Sequence, residues 1–186
     1  MAENVKRERD ADHLGPMSTV KVWDPFVRIF HWSLVVLFTF AWMTEDFQRL
    51  HQPIGYAILG LVVLRIVWGF IGSPHARFSD FVRSPKTTFA YGRDLLAGRA
   101  SDCRGHNPLA AIMVLALLVM LIATGTSGWM MTLDGYRSSK WLEDLHEGLA
   151  SATLVLVGFH ILAVGIMSLV HGENLVRTMI TGRKRA

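Results

Sequence analysis

Four stretches of the chain stay apolar long enough to cross a bilayer, and the polar residues between them gather in clusters. A spanning helix needs about 20 mostly apolar residues to cover roughly 30 Å of hydrocarbon. The pattern predicts spans over about 25–43 (PFVRIFHWSLVVLFTFAWM), 53–72, 108–131 and 145–170. The first is the least hydrophobic because Arg28 and His31 interrupt its start, yet its beginning is well marked. Asp24 is a good N-cap, and Pro25 stands at the first helical position, where proline is tolerated. Asn107-Pro108 repeats this device before the third span, and Ser84-Pro85 repeats it in a loop. Short polar turns are expected over Gln48 to Gln52 and over Asp134 to Asp144. The loop 73–107 is longer and basic. Its middle, Pro85 to Ala97, reads either as an amphipathic surface helix or as an ordinary solvated one. In the first case Phe89, Leu95 and Leu96 face lipid and Lys86 and Arg93 face phosphates. Residues 1–22 read as a polar tail with no apolar stretch of signal-peptide length. No internal repeat is evident. The expected fold class is all-α, an integral membrane four-helix bundle over residues 23–186.

Composition agrees with lipid as the solvent. Hydrophobic residues make up 51% of the 186 residues and charged residues only 18%, against about 25% in soluble domains. Cys103 is the single cysteine, which rules out a disulfide within the chain, a C-x-x-C-H covalent haem attachment and cysteine-based metal clusters. A net charge of +4 would suit nucleic acid, but the positive residues flank the apolar runs instead of forming a basic face. Counted by side, the N-terminal tail together with Arg28 at the start of the first span, the long loop and the C-terminal tail hold fifteen Lys and Arg. The opposite side holds three, Arg49, Arg137 and Lys140. By the positive-inside rule both termini are expected in the cytoplasm, with the loop 73–107 on the same side. The six tryptophans fall near span ends, where aromatic belts form.

The chemistry lies in the histidines. Ionisable residues within a membrane are costly and usually functional. His13, His75 and His106 lie outside the spans, leaving His31, His51, His146, His160 and His171. His146 and His160 are 14 residues apart, so they share a helix face and are separated by roughly 21 Å along the axis. Two metal centres can therefore stack across the bilayer along one helix. Depth alone pairs His51 with His146 at the outer level and His31 with His160 at the inner level. Facing helices of a bundle commonly hold a cofactor between them, and neutral imidazole is an axial haem ligand. His171, 11 residues after His160, is an alternative partner for His31, or an interfacial residue near a haem propionate or a quinone. Arg65 follows His51 by 14 residues on nearly the same face. It either pairs with a haem propionate or snorkels to headgroups. Zinc at His51 and His146 is a further alternative, weakened by the lack of Cys, Asp or Glu at ligand spacing.

Several segments closely resemble the bacterial cytochrome b561 family, which is related to the b-type cytochrome subunits of nickel–iron hydrogenases and formate dehydrogenases. They are VWDPFVRIFHW, LHQPIGYAILGLVVLRIVWGFIG, HARFSDFVRSP, GHNPLA, LEDLHEGLASATLVLVGFH and HGENLVRTMITGRKR, covering nearly everything from Val20 onward. The resemblance implies a four-helix membrane bundle with two non-covalent haems b between its helices. It makes His31, His51, His146 and His160 the axial ligands and sets Arg65 close to haem. It also implies electron transfer across the bacterial inner membrane, between quinone or quinol and a periplasmic or membrane redox protein on the outer face. That partner is cytochrome c-like, or a dehydrogenase or hydrogenase subunit. On this reading the chain is an electron-transfer protein or a subunit of a quinone-linked oxidoreductase, and not a hydrolase, since no activated Ser or Cys arrangement occurs. Two rivals remain. One is a haem-free anchor subunit. The other is a proton or metal transporter, which would call for broken helices or paired acids at the midplane.

Overall fold

The computed structural model describes residues 19–21, 23–73, 76–81, 84–97 and 108–185. Their order is β1 (Thr19–Lys21), α1 (Pro25–Met43), α2 (Gln48–Ile71), α3 (Phe78–Phe81), α4 (Pro85–Leu96), α5 (Pro108–Met130), α6 (Lys140–Val170), α7 (Leu175–Thr181) and β2 (Arg183–Arg185). Four of these, α1, α2, α5 and α6, are long and apolar enough to cross a membrane. Most of their apolar surface faces outward. Ile29, Phe70, Ile71 and Leu169 are largely exposed, as expected where lipid and not water covers the protein.

Asp24 caps α1 as its residue type predicts. Its Oδ1 accepts the amides of Phe26 at 2.7 Å and Val27 at 3.4 Å, while Ser73 donates to Oδ2. Ser84 caps α4 through the amide of Thr87 at 3.3 Å. Helix α4 occupies the segment expected to be helical, with Phe89 exposed. Leu95 and Leu96 lie outside the residues whose side chains are described, as does Asn107 entirely.

Two boundaries differ from the pattern. The expected turn Gln48–Gln52 is helical, because α2 begins five residues before Pro53. Proline there deprives only the Arg49 carbonyl of its partner, and Arg49 is exposed, so water can take its place. Likewise α6 begins at Lys140 instead of Leu145. Lys140 pairs with Glu143 at 3.3 Å and Asp144 at 3.0 Å, and the acids favour the positive helix start. Hydropathy sees only the apolar part of each helix.

Helix α1 packs on α2, α2 on α5, and α5 on α6, while α1 and α6 form no close backbone seam. The core belongs to the first three: Phe30, Ile58, Val62, Leu118 and Leu121 are its buried centre. At one end, β1 and β2 form an antiparallel ladder pairing Thr19 with Arg185. Both described ends therefore lie on the same side of the bundle, here termed inner after the charge bias. Arg28 ties α7 to this end, donating from Nε to the Met179 carbonyl at 3.3 Å and from Nη2 to that of Ile180. Helix α7 ends on Gly182, whose φ of +79° suits glycine. A Cβ there would also sit 2.9 Å from the Arg28 Nη1.

Candidate functional site

The structure brings four of the predicted histidines together in two couples. His51, in the first turns of α2, faces His146 of α6 with ring centroids 6.2 Å apart and planes at 89°. His31, six residues into α1, faces His160 of α6 at 6.4 Å and 57°. The 14 residues between His146 and His160 separate the two levels by roughly 21 Å.

The outer couple is held from behind. The Nδ1 of His51 lies 3.0 Å from the Ala41 carbonyl of α1. The Nδ1 of His146 lies 3.0 Å from the Thr124 carbonyl and 3.0 Å from the Ser127 hydroxyl, both on α5. A carbonyl only accepts, so in both rings Nδ1 carries the proton and Nε2 keeps a lone pair. That is the tautomer a metal ligand needs. Ser127 directs its own proton to the Thr124 carbonyl at 2.8 Å. Gly128 makes room for the ring, since a Cβ at that position would lie 2.9 Å from Cε1 of His146. One turn below, the Thr124 and Thr153 hydroxyls meet at 3.2 Å, and the fully buried Thr153 donates to the Leu149 carbonyl at 2.7 Å. Sequence reasoning overlooked this seat. Its trace is the run Thr124-Gly125-Thr126-Ser127-Gly128, five small residues in an otherwise bulky apolar span.

At the inner couple, Trp32 lies edge-on to His31 at 5.2 Å. The buried Nδ1 of His31 has no hydrogen-bond partner among the described residues. Arg65 is only 3% exposed. Its Nη2 donates to the Ala76 carbonyl at 3.1 Å, and its guanidinium stands 5.3 Å from the Phe78 ring centroid. Its Nη1, together with Nε1 of Trp32 and of Trp68, is a buried donor with no acceptor among the described residues. Buried donors of this kind are costly unless an acceptor reaches them. His171 ends α6, with its Nδ1 3.0 Å from the Met167 carbonyl of the same helix. The ring facing His31 is that of His160.

A bare metal ion does not fit these couples. Among the described residues no group of three or more His, Cys, Asp or Glu converges, whereas a structural zinc needs four ligands and a catalytic zinc three. Two imidazoles suit a metal that brings its own equatorial ligands, as a porphyrin iron does. The spacing agrees. With about 2 Å from metal to each nitrogen and about 1.1 Å from nitrogen to centroid, the centroids stand about 6.2 Å apart, close to the 6.2 and 6.4 Å observed. An apolar groove of about 410 Å³ runs along the loose α1–α6 seam between the two levels, lined by Phe38, Trp42, Leu154, Val157 and Ile161 among others.

Comparison with curated proteins and with solved structures gives no match. The family profile of prokaryotic cytochrome b561 matches residues 22–182. With four apolar helices and this match over most of its length, the chain belongs to the prokaryotic cytochrome b561 family, membrane b-type cytochromes that transfer electrons.

Proposed function

We propose that the protein holds two haems b and passes electrons across the cytoplasmic membrane between the quinone pool and a redox protein on the outer face. One observation carries this reading: two imidazole couples at haem-ligand spacing, stacked at two depths along one helix. His51 and His146 ligate at the outer level, His31 and His160 at the inner. Bound haem supplies reversible one-electron chemistry at iron. The chain's own part is to fix the imidazoles, exclude water and set the local field. Ala41 and Thr124 orient the outer rings through their carbonyls, while the phenylalanines and leucines of α1, α2 and α5 keep the bundle dry. Arg65 offers a buried guanidinium to a propionate. The quinone ring is best accommodated at the inner end, where an open groove of about 560 Å³ includes Arg28, Trp32 and Ser33; His171 ends α6 on the same side of the bundle. Both termini are cytoplasmic on the fifteen-to-three distribution of Lys and Arg.

A reduced-minus-oxidised spectrum and a haemochrome assay on detergent-purified protein test the reading. Two haems b per chain are expected, with His51→Ala and His31→Ala each removing a different spectral component. Protein purified without haem-stripping steps that shows no b-type bands would favour the haem-free anchor. Loss of the same component in both variants would break the pairing.

A further inference from the structure

Helix α7 lies outside the four spans, and its surface is divided. Thr178 is buried, and Leu175 and Met179 are half-buried, against the bundle. Val176 and Ile180, one turn apart, stay exposed, with Arg177 and Thr181 exposed beside them. Two apolar side chains flanked by a cation suit the boundary between acyl chains and headgroups. The depth agrees. The Trp23 amide donates to the Gly182 carbonyl at 3.3 Å, and tryptophans near span ends mark the headgroup level. Helix α7 packs on α6, where Leu169 and Val170 offer exposed apolar surface on the hydrocarbon side.

The turn that ends α7 sets two arginines at one corner. Gly182 takes up the left-handed conformation and redirects the chain into β2. The Thr181 hydroxyl donates to the Arg177 carbonyl at 3.0 Å and accepts the Arg183 amide at 3.4 Å, so one oxygen touches both arginine backbones. Arg28 holds the same turn through the Met179 and Ile180 carbonyls. The ladder sets the Lys21 backbone opposite that of Arg183. Segments 21–28 and 173–185 together carry six basic residues and two acidic ones. Asp24, one of those acids, is engaged by two amides and Ser73. Among the described residues neither Arg177 nor Arg183 forms an ion pair, although both are exposed.

We propose that this corner seats the phosphate of one anionic phospholipid in the leaflet at the inner end. Arg177 and Arg183 hold the headgroup, Thr181 is a positioning residue, and the acyl chains lie against Val176, Ile180 and the end of α6. Arginine suits a phosphodiester because its planar fork donates two parallel N–H bonds to the oxygens. Tying both backbones to one hydroxyl beforehand lowers the cost of ordering them on binding. The occupant is a lipid and not a soluble phosphate because exposed apolar side chains accompany the cations. A diffuse basic surface would attract the same lipids without fixing their number.

Native mass spectrometry of the purified full chain in detergent tests this. The probes are phosphatidylglycerol, phosphatidylcholine with the same chains, and inorganic phosphate. One phosphatidylglycerol per chain is expected to bind in preference to phosphatidylcholine. Arg177→Gln and Arg183→Gln should each weaken it about five-fold, and the double variant about thirty-fold. Thr181→Val should weaken it with both charges kept. Lys86→Gln removes an exposed cation of α4 and should leave binding as in the parent. Equal losses in Lys86→Gln and Arg177→Gln would mean a diffuse field and overturn the seat. So would unchanged affinity in both arginine variants, or displacement of the lipid by inorganic phosphate. If the double variant fails to fold, the single variants decide.

Discussion

Gly128 and His146 form the tightest fit in the outer site. The imidazole lies so close to the α5 backbone that any Cβ would approach Cε1 to 2.9 Å. Gly128→Ala would force the ring away from the Thr124 carbonyl and the Ser127 hydroxyl, both now at 3.0 Å. Overpacking of this kind costs about 1–3 kcal/mol, and the displaced ring presents Nε2 off its line toward His51. We expect Gly128→Ala to lose or shift the outer spectral component, leave the inner one in place and lower the melting temperature of the purified protein. An unaltered pair of components would mean that the ring does not ligate. The four histidines were legible from spacing and depth because a span runs as a straight rod, so residue count converts to height. The carbonyls that orient them were not. Backbone acceptors leave no mark in residue identity, and Ser127 reads as any small polar residue until α5 is set beside α6.

At the scale of elements, the four long helices were readable because an unbroken apolar run of about twenty residues matches the thickness of the bilayer. Their ends were less so. Lys140 to Asp144 is polar and helical because its stability comes from i,i+3 and i,i+4 ion pairs that hydropathy does not register. The β1–β2 ladder and α7 were missed for different reasons. The ladder pairs segments more than 160 residues apart, which no local pattern reveals. Helix α7 did carry its signals, Asn174 accepting the Arg177 amide at 2.8 Å and Gly182 at the left-handed end. Arg28 joins α1 to α7 by donating to carbonyls of its last turn, while the Trp23 amide donates to the Gly182 carbonyl at 3.3 Å. Hydrogen bonds from a charged donor contribute about 1.5–3 kcal/mol. Arg28→Ala should therefore speed amide exchange over Leu175–Thr181 by about ten- to a hundred-fold, while exchange in the centre of α5 stays as in the parent. Equal acceleration in both would show that Arg28 holds the whole bundle and not the clasp.

For the molecule as a whole, orientation and cohesion are separate questions. Reporter fusions at either terminus should both report the cytoplasm, since fifteen basic residues lie on that side and three on the other. A periplasmic signal from either would reverse the assignment of inner and outer levels. Cohesion is uneven. The buried apolar centre joins α1, α2 and α5, whereas α6 buries only Leu142 and Thr153. It is attached by packing along α5, where the Thr124–Thr153 and Ser127–His146 contacts lie, and through the two imidazole couples to α1 and α2. If haem bridges those couples, its binding energy adds to the α5 packing that keeps α6 in place. A ligand present at 100 times its dissociation constant stabilises the native state by about 2.7 kcal/mol. Protein made under haem limitation should accordingly lose exchange protection first in α6, by about a hundred-fold at this occupancy, and least in the facing turns of α2 and α5 around Val62 and Leu118. Uniform loss across all four helices would indicate that the apolar centre, and not the histidine couples, governs how the fourth helix is held.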